Sequence, residues 1–343
     1  MRSLTVGRAI GAALVSAVIA LVVLYLIPSD KYYVFLPDRA HNLQPLVSVA
    51  GEHSSGDKGG VYFVDVRFRK ARLLEDLLHR PLERNASLLP VQAVLGDASA
   101  KQQAKIDVAE MAQSQKIAAA LALKRLGYRV RIRLPQVIVR GVVRTAPAHR
   151  VLKPGDELLA VNGQAVHSLG RLHALISRHR PGERLRLRYE RAGRDLTATI
   201  RTIANPDDRS EAAIGILVDE TGGSVGKLPI RIRIDTGDVG GPSAGLAFAL
   251  DLMEEFGSDV DRGYKVAATG ELDLDGSVLP IGAVKQKTVG AREAGVDVFL
   301  VPAGSNARVA RKYAGGLRII PVQSFPQALH ALATLPAKHA GSA

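Results

Sequence analysis

The chain has 343 residues, of which 47% are hydrophobic, so at about 100 to 200 residues per domain it can form two or three cores and is not a disordered protein. It has no cysteine, which excludes disulfides and cysteine–zinc sites. Its nine histidines are scattered without an H-x-x-x-H pair, so we expect no metal and no cofactor.

The first apolar element is an uncharged run of 19 residues from Ala9 to Ile27. As a helix this run could cross about 30 Å of hydrocarbon, so we expect a transmembrane helix at 9–27 after a cytoplasmic segment, 1–8. A cleaved signal peptide is the alternative, but the run exceeds the usual signal core of about 7 to 15 residues. Arg2 and Arg8 precede the run, whereas the charges after it cancel. The positive-inside rule then predicts a single-pass cell-membrane protein, with the bilayer as a partner and the catalytic part extracytoplasmic.

Residues 28–128 are predicted to form a membrane-proximal β/α region. Tyr32 to Leu36 and Gly60 to Phe68 are rich in β-branched and aromatic residues and predict strands. Ile106 to Leu126 has the apolar pattern of a helix that ends at Gly127. No chemistry is assigned to this region.

The next region alternates apolar residues around glycine turns and contains LKPGDELLAVNG at 152–163. It resembles a bacterial PDZ domain over 129–203, a β-sandwich or partial barrel with helices. The resemblance implies that a peptide adds as a strand beside a helix near Ser168 to Ser177. We expect the receiving edge to consist of Val137, Ile138, Val139 and Arg140. A purely structural spacer is the alternative.

Positive charge is concentrated in the same region. From Lys124 to Arg201 there are 18 Lys and Arg against 5 Asp and Glu, a net charge of +13 that equals that of the whole chain. No aromatic residues are interleaved, so we expect no nucleic-acid partner. Anionic lipid headgroups or acidic wall polymers are better partners, and an ordinary solvated arginine surface is equally compatible.

Ser243 follows Gly240-Gly241-Pro242 and precedes an apolar helix-forming stretch. The amide groups at such a helix start could hold the oxyanion that develops when a hydroxyl attacks a peptide carbonyl. A simple helix N-cap is the alternative role for this serine.

Lys287 lies on a helix predicted from about Ala283 to Ala294. Helical spacing places it with Val284, Gly290, Ala291 and Ala294 on the apolar face, where burial would lower its pKa and favour a neutral general base. Lys285 falls on the other side with Thr288, Val289 and Arg292, and is expected to be solvated.

The motifs GGPSAG at 240–245 and TGELDLDGSVLPIGAVKQK at 269–287 resemble the proteolytic domain of Lon proteases, over about 206–335. The resemblance implies an α+β fold, a Ser243 nucleophile with Lys287 as its partner, and supporting roles for Gly241, Pro242, Thr269 and Glu271. Many Lon enzymes have an acidic residue where this chain has Gly240. Residues 336–343 are expected to form a flexible tail.

We find no sequence motif of the ATPase module that drives proteolysis in Lon proteases. The glycine-rich segment 222–228 has the wrong spacing for a phosphate-binding loop, and Leu228 stands where a magnesium-binding Ser or Thr is required, so we expect a flexible loop. Asp273 and Asp275 are expected in the polar face and turn of a hairpin.

The sequence therefore predicts a multidomain α/β protein that is a membrane-anchored, ATP-independent serine endopeptidase acting on protein or peptide substrates. The prediction includes a possible partner of the same kind, namely a homo-oligomer formed through the proteolytic domain. The alternatives are a catalytically silent binding scaffold and a basic adhesion module of the cell envelope.

Overall fold

Helix α1 spans Arg2–Leu26 and precedes the folded body. The computed structural model describes residues 2–50, 59–206, 208–237 and 239–338, with the side chains of α1 described from Gly11 onward. Across these residues, no helix has both the length and the apolar character that a bilayer crossing demands. The predicted transmembrane span 9–27 is thus helical but finds no support as a membrane span. The predicted tail, 336–343, lies outside the described residues from His339 onward.

The N-terminal third continues with strands and helices in the order β1 (Pro28–Asn42), β2 (Val47–Val49), β3 (Gly60–Arg72), α2 (Leu73–Leu78), β4 (Ser87–Pro90), α3 (Val91–Leu95) and α4 (Ala100–Arg125). Both predicted strands and the predicted long helix of this region are confirmed. Helix α4 begins at a capping box, in which Ser99 accepts a hydrogen bond from the backbone of Gln102 while the Gln102 side chain accepts one from Ser99.

The middle third contains β5 (Ile132–Val142), β6 (Glu157–Val161), β7 (Gln164–Ala165), α5 (Leu169–Ile176), β8 (Arg184–Arg191), β9 (Arg194–Arg201), β10 (Ile203–Ala204), β11 (Ala212–Ala213) and β12 (Ile216–Val225). Its antiparallel sheet has the order β12-β5-β6-β8-β9. Strand β8 shows how the basic composition is accommodated. Leu185, Leu187 and Tyr189 point into the core while the alternating arginines are exposed.

The last third contains β13 (Ile232–Ile234), α6 (Gly245–Glu255), β14 (Lys265–Ala268), β15 (Glu271–Leu272), β16 (Val278–Leu279), α7 (Val284–Glu293), β17 (Val298–Pro302), α8 (Ser305–Tyr313), β18 (Arg318–Val322) and α9 (Phe325–Ala333). Three of its strands join a six-stranded sheet of order β18-β17-β14-β3-β1-β4. The strands from β18 to β3 are parallel, and β1 is antiparallel to β3 and β4.

This sheet unites the first and last thirds of the chain. Residues predicted as a separate membrane-proximal region supply β1, β3 and β4, and α4 packs on α6. One core accordingly contains Phe63 of β3, Ile117 of α4, Phe248 of α6 and Leu300 of β17. The predicted boundary between 28–128 and 206–335 therefore does not separate two bodies in space. The middle third is inserted between α4 and β13 and has its own core.

Candidate active site

The turn that carries Ser243 is held from two directions. Gly241, with a φ of +86°, donates its backbone N–H to the carbonyl of Asp107 in α4 at 2.9 Å. Ser114, also in α4, donates its hydroxyl to the carbonyl of Pro242 at 2.9 Å. Helix α6 begins at Gly245, its N-cap is Ala244, and no side chain caps it. The N-cap alternative for Ser243 is therefore wrong, and its hydroxyl is available for another partner.

Gly240 packs closely against α4. A Cβ at this position would lie 2.7 Å from the Cβ of Asp107 and 3.3 Å from its backbone carbon. Real Cβ contacts are longer, so the close approach of α4 leaves no room for a side chain at residue 240.

Lys287 reaches this turn from α7. Its side chain is buried, with the residue only 4% exposed, and its Nζ lies 2.5 Å from the Oγ of Ser243. A second contact of 3.4 Å joins Nζ to the Oγ1 of Thr269. Burial lowers the pKa of Lys287 to about 8, and the charge of Asp65 partly opposes this effect. A substantial fraction of this amine is therefore neutral near neutral pH.

Helix α7 comes unusually close to β1. A Cβ at Gly290 would lie 1.7 Å from the carbonyl oxygen of Asp38, so only glycine permits this approach. The predicted helix is confirmed within one residue at each end, but the predicted division of its faces is not. Thr288 and Val289 are fully buried, because α7 packs against β1, β3 and α8 together.

Lys285 also departs from its prediction as a solvated side chain. It is half-buried, and its Nζ donates to the carbonyl of Ala86 at 2.9 Å. It makes no contact with Ser243 among the described residues, so the two lysines of this motif have different surroundings.

Thr269 links the serine turn to the end of β14. Its hydroxyl donates to the carbonyl of Ser243 at 3.1 Å, and the backbone N–H of Gly270 donates to the same oxygen at 2.8 Å. Gly270 has a φ of +153°, and a Cβ there would lie 2.5 Å from a methyl of Val278. The structure thus places Thr269 beside both Ser243 and Lys287.

Glu271 follows Thr269 by two residues but makes no hydrogen bond with Ser243 or Lys287 among the described residues. It is half-buried, and burial together with the charges of Glu110, Asp273 and Glu220 raises its pKa to about 7. Strands β15 and β16 form the predicted hairpin, in which Asp275 accepts the backbone N–H of Ser277.

Two groups of acidic and histidine side chains have ligand atoms within 4.8 Å of one another, Asp38–His41–Asp65 and Glu254–Asp259–Asp261. In the first group, His41 forms an ion pair with Asp65 at 3.3 Å. In the second, Glu254 accepts the backbone N–H groups of Val260 and Asp261. These contacts within the protein explain much of why the side chains of each group lie close together.

The glycine-rich segment 222–228 is not a phosphate-binding loop. Residues 222–225 belong to β12, which pairs with β5, and no helix follows before α6. The expected flexible loop is also wrong for these residues, because β12 stays paired with β5 through this segment. Gly222 and Gly223 have φ values of +81° and +74°, which only glycine adopts readily, and Gly223 lies against Pro135.

The edge predicted to receive a peptide is already occupied. Val137 and Ile138 pair with Glu220 and Asp219 of β12 on one side and with Leu158 and Glu157 of β6 on the other. Val139 pairs with Val218, and Arg140 binds Asp219 at 2.6 Å. The terminal strand of this sheet, which contacts α5, is therefore β12 and not the strand 137–140. Strand β12 lies after Ile203, the predicted end of the domain.

No sequence motif predicted the contribution of α4. Asp107 accepts from Gly241 through its backbone carbonyl, and Ser114 donates its hydroxyl to the backbone carbonyl of Pro242, so neither contact requires a paired side-chain motif. The only available signal was the alanine-rich character of α4, which allows close packing against α6.

Two family models match the chain: the PDZ domain over 124–202 and the Lon protease (S16) C-terminal proteolytic domain over 222–334. A Lon protease of Chloroflexus aggregans is 39% identical over 114 residues, which are 31% of this chain and 14% of that protein. Lon protease 2 of Thermus thermophilus is 41% identical over 78 residues, or 22% and 10%. The chain thus matches only about a tenth to a seventh of the length of these relatives.

Among solved structures, the PDZ domain of an SdrC-like protein from Listeria monocytogenes is 24% identical, with a TM-score of 0.23. The match covers 24% of this chain and 85% of that one. The two family matches show that the chain is a multidomain α/β protein that contains a PDZ domain and a Lon-type C-terminal proteolytic domain.

Proposed function

We propose that this protein is a serine endopeptidase in which Ser243 is the nucleophile and Lys287 the general base. The observation that carries the proposal is the 2.5 Å separation of Lys287 Nζ from Ser243 Oγ, with the lysine buried and its pKa lowered to about 8. A nucleophile within hydrogen-bond reach of a base of suitable pKa is the arrangement that acyl transfer requires.

In the proposed reaction, neutral Lys287 takes the proton of Ser243 as Oγ attacks the carbonyl carbon of the substrate. The resulting ammonium gives that proton to the departing amine, and the carbonyl re-forms as an ester on Ser243. Lys287, neutral again, then removes a proton from the water that attacks the ester. The resulting ammonium returns this proton to Ser243 Oγ as the ester bond breaks and the acid product leaves. No group beyond the chain, substrate and water is required to balance these steps.

The oxyanion would be held at the start of α6. The backbone N–H groups of Ser243 and Ala244 make no hydrogen bond within the described part of the chain, whereas that of Gly245 bonds to Pro242. Free amides at a helix start, with the dipole of α6 behind them, stabilise negative charge on an oxygen placed there.

Thr269 is proposed as a positioning residue. Because its hydroxyl donates to the carbonyl of Ser243, its lone pairs face Lys287 and accept from Nζ at 3.4 Å. This contact would hold the amine toward Ser243 Oγ.

ATP independence is part of the proposal for this chain. It is supported by the strand conformation of residues 222–225, the one segment that resembles a nucleotide loop. The reaction described above also contains no step that consumes ATP.

The PDZ domain is proposed to present or gate substrates at the open edge of β12, where strand addition supplies backbone hydrogen bonds. Its helix α5 contacts the hairpin that follows Thr269: Ser168 hydrogen-bonds Asp273, and a Cβ at Gly170 would lie 2.5 Å from Leu279. Peptide binding beside α5 would therefore act on the hairpin at Asp273, four residues after the proposed positioning threonine.

The test is hydrolysis of an unfolded protein and of a fluorogenic peptide by the full chain, without ATP and with a chelator. We expect Ser243→Ala and Lys287→Ala each to lower kcat/KM by about 10³-fold or more, since members of one catalytic unit fail together. Lys285→Ala is the matched control and should stay within a few-fold of wild type. Wild-type rates in Ser243→Ala would refute the nucleophile, and a folded but inactive wild-type protein would favour the binding-scaffold alternative.

A further inference from the structure

A cavity of about 340 Å³ opens beside the turn that carries Ser243. It is lined by α4, including Glu110 and Ser114, by Pro242, and by Glu271 and Leu272 of β15. Ser114 bonds to the carbonyl of Pro242, the residue that precedes the proposed nucleophile. The cavity therefore adjoins the reacting centre, and its volume lies within the range of about 300–1,000 Å³ typical of ligand pockets.

The charged groups of this cavity are both acidic and come from different elements. Glu110 projects from α4 at the exposed rim, and Glu271 is half-buried in β15. Among the described residues, no lysine or arginine lines the cavity. Burial and the neighbouring carboxylates raise the pKa of Glu271 to about 7, and burial and Asp107 raise the pKa of Glu110. The site thus lacks a compensating cation.

A second cavity, of about 810 Å³, continues from the first. The two share Glu271 and Leu272 as walls, and the second extends to Asp273, to Glu220 of β12 and to the first turn of α5. His173 is its only side chain that could carry a positive charge among the described residues. Acidic side chains therefore line two adjoining cavities, which extend from β12 and α5 to Pro242, the residue before Ser243.

The acidic side chains of the two cavities come from outside the basic region 124–201. Four carboxylates line these cavities, Glu110, Glu220, Glu271 and Asp273, with no lysine or arginine among the described lining residues. A cationic group entering the first cavity would pair with Glu271, whose charged neighbours are Glu110, Asp273 and Glu220.

We infer that the cavity between α4 and β15 is a substrate subsite for a lysine or arginine side chain, with Glu110 and Glu271 as the residues that determine this specificity. The inference rests on the proposed peptidase function and deepens it by naming the substrate class. A charge-assisted hydrogen bond in such a site gives about tenfold or greater discrimination against an uncharged side chain of similar length.

The test uses a set of fluorogenic peptides that differ at one position, which carries lysine, norleucine or glutamate. The varied position is moved in turn through the residues on each side of the cleaved bond, and kcat/KM is measured with the full chain. At one position, wild type should prefer lysine over norleucine by about tenfold or more. Glu110→Gln and Glu271→Gln should each lower this ratio, and Glu110→Lys should shift the preference toward glutamate.

Glu190→Gln is the matched control, because Glu190 is an exposed carboxylate of β8 that lines neither cavity, and it should keep the wild-type ratio. If Glu271→Gln fails to fold, the exposed Glu110 variants still decide the question. Equal rates for lysine and norleucine at every position, or a ratio unchanged in the Glu110 variants, would overturn the inference. Both of these outcomes can be observed only with an active enzyme. If the proposed peptidase function itself were wrong, no peptide would be cleaved, so the two failures are distinguishable.

The pH dependence of the same ratio supplies a second readout. Protonation of Lys287 slows both peptides equally and cancels from the ratio, whereas ionisation of Glu271 favours only the lysine peptide. The groups that face Glu271 are Glu110 from α4, Glu220 from β12 and Asp273 from its own hairpin. The ratio should therefore rise between about pH 6 and 8, and a ratio that falls in this interval would contradict the assignment.

Discussion

Peptide hydrolysis should rise steeply with pH around pH 8, because the proposed base, Lys287, acts only when neutral. Burial lowers the pKa of this lysine from 10.5 to about 8. At pH 7 about 10% of such a lysine is neutral, compared with about 0.03% of an ordinary one. Burial therefore increases the active fraction about 300-fold at neutral pH.

The same burial costs stability. Lowering the pKa from 10.5 to about 8 corresponds to about 3 kcal/mol, at about 1.4 kcal/mol for each tenfold change. An unfolded lysine keeps its ordinary pKa, so between about pH 8 and 10.5 the unfolded chain binds more protons and the contribution of Lys287 to stability rises with pH. Below pH 8 both states are protonated and the full cost is present. At pH 7, Lys287→Met should therefore raise the free energy of unfolding by up to about 3 kcal/mol while abolishing hydrolysis.

The assay is kcat/KM for a peptide without charged side chains between pH 6 and 10 at constant ionic strength, together with denaturant unfolding of wild type and Lys287→Met at pH 7. A kcat/KM that is constant between pH 7 and 9 would refute the neutral-base role. A large loss of stability in Lys287→Met would refute the claim that burial of Lys287 lowers the free energy of unfolding.

Two further predictions concern the supports of the site. Gly290→Ala should strongly lower Tm and activity, because the new methyl group would collide with the carbonyl of Asp38. The control is Gly282→Ala, just before the same helix, where a methyl group meets no atom within 4 Å and should leave Tm nearly unchanged. Equal Tm values for the two variants would contradict this packing. Thr269→Val should lower kcat/KM by about tenfold through loss of its hydrogen bonds while Thr269→Ser restores most of it, and equal rates in the two variants would exclude a role for the hydroxyl.

The local features of the site were predictable because they depend on short-range patterns. A glycine turn before an apolar helix located Ser243, and helical spacing placed Lys287 on a buried face. The same spacing misjudged Thr288 and Val289, since a helix covered on several sides has no solvated face to detect. Periodicity shows which residues of a helix are apolar but not how many neighbours surround it.

The long-range assembly was not predictable from the same patterns. Strands β1 and β3 join β14 across about two hundred residues of sequence, with the PDZ domain inserted between them. Strand β12 pairs with β5 although a hairpin and a loop separate it from the predicted end of its domain. Strand propensity identifies such segments but carries no information about which partner edge is free.

The central claim is that Ser243 is activated by Lys287, and covalent labelling tests it most directly. The full chain would be treated with a serine-directed fluorophosphonate, which loses fluoride on attack by an activated hydroxyl, and the modified residue mapped by mass spectrometry. We predict modification at Ser243 in wild type, at a rate that rises with pH toward pH 8, and none at pH 7 in Lys287→Met. Modification of a different serine, or equal labelling of Ser243 in both proteins, would contradict the account.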